Sequence, residues 1–136
     1  MARNPGMARR VAALAALVIA LAAPVLAHHS RSMFADDKTI SLEGTMTEVA
    51  WANPHSLFFV EARPTDQPDA PMMNWSVEGP RPRELNAMGW ERDDIKAGAK
   101  VRITGHPRRD GKRQILLIEI SDDQGHHFAE KPEAEQ

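Results

Sequence analysis

The stretch that decides the fold is TISLEGTMTEVAW, residues Thr39–Trp51. From Ile40 to Met46 its apolar residues alternate with polar ones, which is the period of a β-strand with one buried face. The apolar positions then move by one, to Val49 and the closing tryptophan. Such a change of parity inside one strand predicts a β-bulge, which we expect near Thr47-Glu48.

Four more strands and a short helix are predicted after this first strand. Gly44, in its middle, indicates a strong bend. The order of three strands, a helix and two strands, with a bent and bulged first strand, is that of a five-stranded OB-like barrel. A small β-sandwich is the alternative for this all-β pattern. The later strands are expected at Leu57–Arg63, Met72–Val77, Lys100–Pro107 and Gln114–Ser121, and the helix at Arg83–Met88, with at most one further helical turn at Asp93–Ala97.

The predicted core lies at the centres of these strands. Apolar residues in mid-strand are the ones most often buried. We expect at least three of four such residues to be buried, namely Phe59, Val77, Ile103 and Leu117.

The N-terminal segment is typical of a cleaved export signal. A basic start is followed by the apolar run Val11–Ala27, whose 17 residues fall short of the roughly 20 that a membrane-spanning helix needs. A retained anchor is the alternative. Residues 1–27 are therefore expected to be a signal peptide, 28–38 an arm, 39–128 the barrel domain and 129–136 a disordered tail. This organisation predicts a periplasmic or secreted protein, with membrane contact only through the signal peptide before cleavage.

Charge and cysteine content narrow the classes of partner. The 109 residues after the signal carry 14 Lys and Arg against 19 Asp and Glu, a net charge of −5. No nucleic-acid partner is expected for such an acidic domain, because nucleic-acid binding depends on basic residues that neutralise phosphates. The chain has no Cys, so any metal must take nitrogen and oxygen ligands, which favour Cu(II), Ni(II) or Zn(II).

Motifs along the chain also resemble a known family. The sequence is similar to a secreted bacterial family, domain of unknown function (DUF) family 6152, with Leu57 departing from the aromatic residue more usual there. The resemblance implies an exported OB-like barrel and no established activity. It rests on Ala27-His28-His29-Ser30, Leu42-Glu43-Gly44-Thr45, Trp51-Ala52-Asn53-Pro54-His55, Trp75-Ser76-Val77-Glu78-Gly79, Gly89-Trp90 and Val101-Arg102-Ile103-Thr104-Gly105.

The candidate metal ligands are His28, His29 and His55. Cleavage after Ala27 would give His28 a free α-amine beside its imidazole, and both groups bind transition metals once deprotonated. His29, as the second residue, would offer the amine, a backbone amide and its ring in a square plane, which suits Cu(II). A third ligand would come from the barrel. The alternative is that His28-His29 is only a polar start after the cleavage site.

A second candidate site is a ligand platform formed by Trp51, Asn53 and His55. It offers a ring for stacking, a rigid turn and an imidazole at one strand end. The alternative places Trp51 in the core or at the barrel rim and makes the other two turn residues. The sequence evidence for a functional role is weaker still for the other candidate residues, namely Glu78, Trp90, His106 and the pair His126-His127.

The sequence contains no motif of a known catalytic site, so we expect no enzyme. The first hypothesis is an exported OB-fold protein that binds copper or another divalent metal through its processed N-terminal histidines. The second is a metal-free periplasmic interaction module that binds a protein, glycan or other envelope component.

Overall fold

The computed structural model describes residues 31–130 of the 136-residue chain. The predicted signal peptide, His28, His29 and tail residues 131–136 lie outside the described residues. The chain divides into two units, residues 1–33 and 34–136, and the fold described below is that of the second. No helix within residues 31–130 is both long and apolar enough to cross a membrane.

The second unit is a closed β-barrel with one short helix. The strands Leu57–Pro64 and Lys100–Pro107 have the alternating burial expected of a wall with one face toward a core. The helix connects the third and fourth strands, as predicted. The elements are β1 (Ile40–Ala50), β2 (Leu57–Pro64), β3 (Met73–Glu78), α1 (Pro82–Ala87), β4 (Lys100–Pro107), β5 (Gln114–Asp122) and β6 (His127–Ala129).

β1 is the central strand of the sheet, whose order is β3-β2-β1-β4-β5-β6. It pairs antiparallel with β2 on one side and with β4 on the other. The barrel closes where β3 and β5 run parallel, from Ser76 beside Gln114 to Glu78 beside Leu116. This closure confirms the five-stranded OB-like barrel predicted from the sequence, and no β-sandwich forms.

The predicted bulge in β1 is present. The register against β2 shifts between Met46 and Glu48, which leaves Thr47 as the extra residue. A second shift lies between β4 and β5, where Thr104 and Gly105 pair with Glu119 and Leu117 and leave Ile118 of β5 as the extra residue. It was not predicted, because the continuous apolar run Ile115–Ile118 shows no change of parity. Both shifts increase strand twist and curvature, which a small barrel requires.

The core confirms the expectation that at least three of the four central residues are buried. Val77, Ile103 and Leu117 are almost inaccessible to solvent. Phe59 is only half-buried, because it points to the outer face of β2, and its neighbour Phe58 faces the core. The apolar run at the start of β2 offered aromatic residues on both faces, so the sequence pattern did not distinguish them.

The short helix closes one part of the core. α1 begins with a proline in its first turn, where the missing N–H is not needed, and it buries Leu85 completely. Gly89 follows with a φ of 87°, a conformation that favours glycine after a helix. The segment Asp93–Ala97 forms turns and no helix, although Ile95 within it is buried.

A sixth strand, absent from the sequence prediction, adds to the edge of β5. Phe128 at its centre is 2% exposed and meets the buried Trp90 edge to face, with ring centroids 5.9 Å apart. The Trp90 indole N–H donates a hydrogen bond to the His127 carbonyl oxygen at 3.2 Å. Trp90 therefore joins the segment after α1 to the last strand.

The residues before β1 are attached along the end of β4. Phe34 forms an isolated antiparallel bridge with Arg108 and is fully buried, and the Ala35 N–H donates to the Pro107 carbonyl oxygen at 2.8 Å. His106 Nδ1 lies 2.7 Å from the Lys38 carbonyl oxygen, which can only accept, so that ring nitrogen donates. Phe34 therefore anchors the segment before β1, whereas the preceding Met33 is 41% exposed.

Candidate functional site

The most chemically distinctive site in the barrel is a histidine facing a buried carboxylate. His55 lies two residues before β2, and Glu78 is the last residue of β3. Because β2 and β3 are antiparallel and Leu57 is the register partner of Glu78, the start of one strand meets the end of the other. His55 Nε2 lies 3.6 Å from Glu78 Oε1.

The loops on either side of this pair are tied together by backbone hydrogen bonds. The Ser56 N–H donates to the Pro80 carbonyl oxygen at 3.1 Å, and the Gly79 N–H donates to the Ser56 carbonyl oxygen at 2.9 Å. A Cβ at Gly79 would lie 2.8 Å from the Phe58 ring, so the chain needs a glycine directly after Glu78. The backbone around both side chains is therefore fixed by packing as well as by strand pairing.

Glu78 is buried, with 7% of its surface exposed. Nothing in the sequence indicated this burial, because a lone glutamate at a strand end is usually exposed. Glu78 pairs with Leu57 of β2 on one side and with Leu116 of β5 on the other, so it lies inside the seam that closes the barrel. A buried carboxylate costs free energy unless positive charge or hydrogen bonds compensate it.

Arg108 supplies positive charge near Glu78. Its guanidinium donates to both carboxylate oxygens of Asp110, at 2.9 and 2.6 Å, and to the Gln114 side-chain oxygen at 2.9 Å. The hydrogen bond from Arg108 lowers the pKa of Asp110 to about 2. The same hydrogen bond raises the pKa of Arg108, and the negative charge of Glu78 adds to that increase. Arg108 thus stays charged and links the site to the bridge with Phe34.

The residues of the predicted ligand platform lie in the connection between β1 and β2. Trp51 is half-buried and packs against the hydrophobic core. Asn53 is exposed in the turn and precedes a cis peptide bond to Pro54. Of the three, the structure places His55 beside another candidate, Glu78.

The other histidines singled out in the sequence have separate contacts. His126 Nδ1 lies 2.7 Å from Asp122 Oδ2, and His127 Nε2 lies 2.8 Å from Glu119 Oε1. His106 holds the segment before β1, as described above. In residues 31–130, no group of three or more His, Asp and Glu side chains is arranged to hold a metal ion.

The pairing of His55 with Glu78 was missed by the sequence reading. The two residues are 23 positions apart and belong to different motifs. The signal that would have joined them is the β2–β3 hairpin register, in which residues just before β2 and at the end of β3 share one end of the barrel. The sequence does not reveal that register, because a long loop joins these strands and no short turn determines how they pair.

Comparison with known proteins identifies a matching family and a distantly similar solved structure. The model of a Family of unknown function (DUF6152) matches residues 15–117. No curated protein matches the chain significantly. Among solved structures, the chain is similar to the mitochondrial single-stranded DNA-binding protein Rim1 from S. cerevisiae, with 11% sequence identity, a TM-score of 0.47 and coverage of 63% of this chain and 93% of that one. Likeness at this level says nothing of what the chain binds.

Proposed function

The chain belongs to the family of unknown function DUF6152 and folds as a small closed barrel, and from this premise we propose that it is an exported protein that binds a divalent transition metal through its processed N-terminus. Cu(II) is the preferred ion, and His28 and His29 are the terminal ligands. The protein acts by binding and not by catalysis.

The observation that carries this proposal is the anchored segment at the start of the barrel unit. Phe34 is buried and bridged to Arg108, and Ala35 is hydrogen-bonded to β4. Six residue steps separate His28 from Phe34, which limits the reach of the tether to about 20 Å at full extension. A chain starting at His28 would therefore carry its ligands on a short tether and not on a long free tail.

The chemistry of the terminus favours copper. A terminal histidine offers an α-amine, whose ordinary pKa is about 7.7, together with an imidazole. Nitrogen ligands bind Cu(II) more tightly than the other divalent first-row metals, and a planar set of amine, amide and imidazole fits its preferred geometry. The chain has no thiol that would favour a softer ion.

The test is a titration of the processed protein with Cu(II) and with Zn(II), followed by calorimetry. We expect one Cu(II) to bind more tightly than Zn(II), and binding to weaken as the pH falls, because protons compete for the amine and the imidazoles. Adding one Gly before His28 shifts both histidines and should abolish or remodel the site. His28→Ala and His29→Ala separate binding through the terminal ring from the square-planar mode.

The proposal is overturned if the Gly extension and both alanine variants leave the Cu(II) affinity unchanged. The metal-free interaction module of the periplasm would then be the better account. Urea unfolding of each variant serves as the control, because the barrel residues are untouched and their midpoints should match the wild type.

A further inference from the structure

We infer that the outer edge of β6 and the cleft beside it form a docking site for an extended peptide segment that carries Lys or Arg. The site consists of residues between α1 and β6, all within the barrel unit. It needs neither a metal ion nor the N-terminal histidines, so it goes beyond the proposed metal binding and is tested separately from it.

The outer edge of β6 has backbone groups without a strand partner. In the described part of the chain, β6 pairs with β5 alone. The Glu130 N–H donates to the Ile118 carbonyl oxygen at 2.7 Å, so the backbone of Glu130 faces β5. Because backbone groups alternate between the two edges of a strand, the N–H and C=O of Ala129 face outward. In an antiparallel ladder, such a residue exchanges two hydrogen bonds with one residue of an added strand.

Trp90 marks one end of this edge. Its indole N–H donates to the His127 carbonyl oxygen, which also faces outward, at 3.2 Å. The indole therefore occupies the His127 end of the edge and leaves the Ala129 end open.

A cleft of about 320 Å³ lies beside the open end of the edge. Ala87 and Met88, at the end of α1, form one wall, and Trp90 and β6 form the rest. Met88 is 45% exposed, and its flexible thioether side chain can adapt to apolar groups of different shapes. Backbone pairing along a sheet edge, with a pocket for a side chain beside it, is a recurring way to bind an extended peptide.

Carboxylates predominate in the two segments that form the cleft. Residues 84–94 carry four Asp and Glu against one Arg, and residues 119–130 carry four Asp and Glu with no Lys or Arg. His127 offsets part of this charge, since its Nε2 lies 2.8 Å from Glu119 Oε1. Positively charged side chains on the peptide complement the remaining negative charge, whereas an acidic peptide is repelled. The charge of the cleft therefore selects a basic peptide.

The experiment uses a short capped peptide in which Lys alternates with Val or Thr. Calorimetry measures its affinity for the protein, and amide hydrogen exchange is followed with and without the peptide. We expect saturable binding, and we expect the Ala129 N–H to exchange at least about tenfold more slowly in the complex because it becomes hydrogen-bonded. The same peptide with Glu in place of each Lys should not bind.

Two variants test the edge and the cleft separately. Ala129→Pro removes the outward N–H and no bond to β5, a change that edge strands tolerate, and it should weaken binding about fivefold, the effect of one lost hydrogen bond. Met88→Lys places a positive charge in the cleft and should weaken binding about tenfold or more. Met72→Lys is the matched control, because Met72 is similarly exposed, at 40%, and lies outside the cleft.

The inference is wrong if the Lys peptide does not bind, or if it binds without slowing exchange at Ala129. It is also wrong if the Glu peptide binds equally well, or if Met88→Lys binds the Lys peptide as tightly as Met72→Lys does. Should Ala129→Pro unfold, the exchange of the wild-type protein and the affinity of Met88→Lys decide the outcome.

Discussion

Two glycines determine how closely the strands of the barrel approach one another. A Cβ at Gly44 would lie 2.1 Å from the Glu61 carbonyl oxygen, and one at Gly105 would lie 2.3 Å from the Leu116 carbonyl oxygen. Both obstacles are backbone atoms of a paired strand, which cannot move away as a flexible side chain would. At both positions the absence of a side chain is therefore a requirement of strand pairing and not of a turn.

Gly44→Ala should destabilise the barrel by about 3 kcal/mol, the upper end of the usual overpacking cost, because β1 and β2 must separate to admit the methyl group. The measurement is the free energy of unfolding in urea. The control is Gly111→Asn, at a turn position with a φ of 76° and no atom within 4 Å of a Cβ, where asparagine is tolerated. A Gly44→Ala protein as stable as the control would show that the strands do not approach this closely.

The candidate site was only half predictable at the residue scale. His55 was identified because a histidine after an Asn-Pro turn is chemically distinctive in the sequence. Glu78 was not, because burial of a lone glutamate depends on the parallel closure of β3 with β5, and no local pattern encodes a pairing between distant strands.

At the scale of elements, the turn between β5 and β6 is organised by one carboxylate. Asp122 Oδ1 accepts the N–H groups of Gln124 and His126, at 3.0 and 2.8 Å, while Oδ2 pairs with the His126 ring. Burial raises the pKa of Asp122, but the hydrogen bonds from His126 and Gln124 outweigh it, so the pKa lies below its ordinary value. The charged form of Asp122 therefore stabilises the end of the sheet.

Asp122→Asn should lower the free energy of unfolding at pH 7 by about 1–3 kcal/mol, because buried hydrogen bonds to a charged acceptor are weakened. Because the pKa of Asp122 is lower in the folded protein than in the unfolded chain, its charge stabilises the fold fully above the ordinary pKa of about 3.9. This stabilisation is lost as the pH falls through the lower pKa of the folded state. Urea midpoints from pH 7 to pH 2 should show the difference from wild type narrowing below about pH 4. The exposed neighbour Asp123, changed to Asn, is the control, and an equal loss at every pH would contradict the assignment.

The elements themselves differed in how well the sequence predicted them. β1 was predictable with its bulge because eleven residues carry enough alternation to show a parity change. β6 was not, because three residues with one apolar side chain show no period. Its position depends on Phe128 meeting Trp90, a contact between residues 38 positions apart.

For the whole molecule, the order of strands and helix was enough to predict the barrel. A bent first strand can pair with a neighbouring strand on each side. A closed barrel is one of the few arrangements in which five such strands leave no edge unpaired. The structure confirms this topology in residues 34–130.

Export and processing can be checked on the intact protein. The apolar run and the small residues before His28 favour cleavage after Ala27. Intact mass of the protein recovered from outside the cytoplasm should match a chain that starts at His28. A mass that retains residues 1–27 would contradict both the export signal and the terminal-amine ligand.

The seam between β3 and β5 has a consequence for the order in which the protein folds. Its first pair, Ser76 with Gln114, joins positions 38 residues apart, and the β1–β4 pairing, such as Ile40 with Gly105, joins positions still farther apart, whereas the β2–β3 and β4–β5 pairings are more local. Pairing between distant residues costs more loop-closure entropy, which slows the folding of β-rich domains. Glu78 is enclosed by this seam, so its carboxylate becomes buried only in a chain whose barrel has closed.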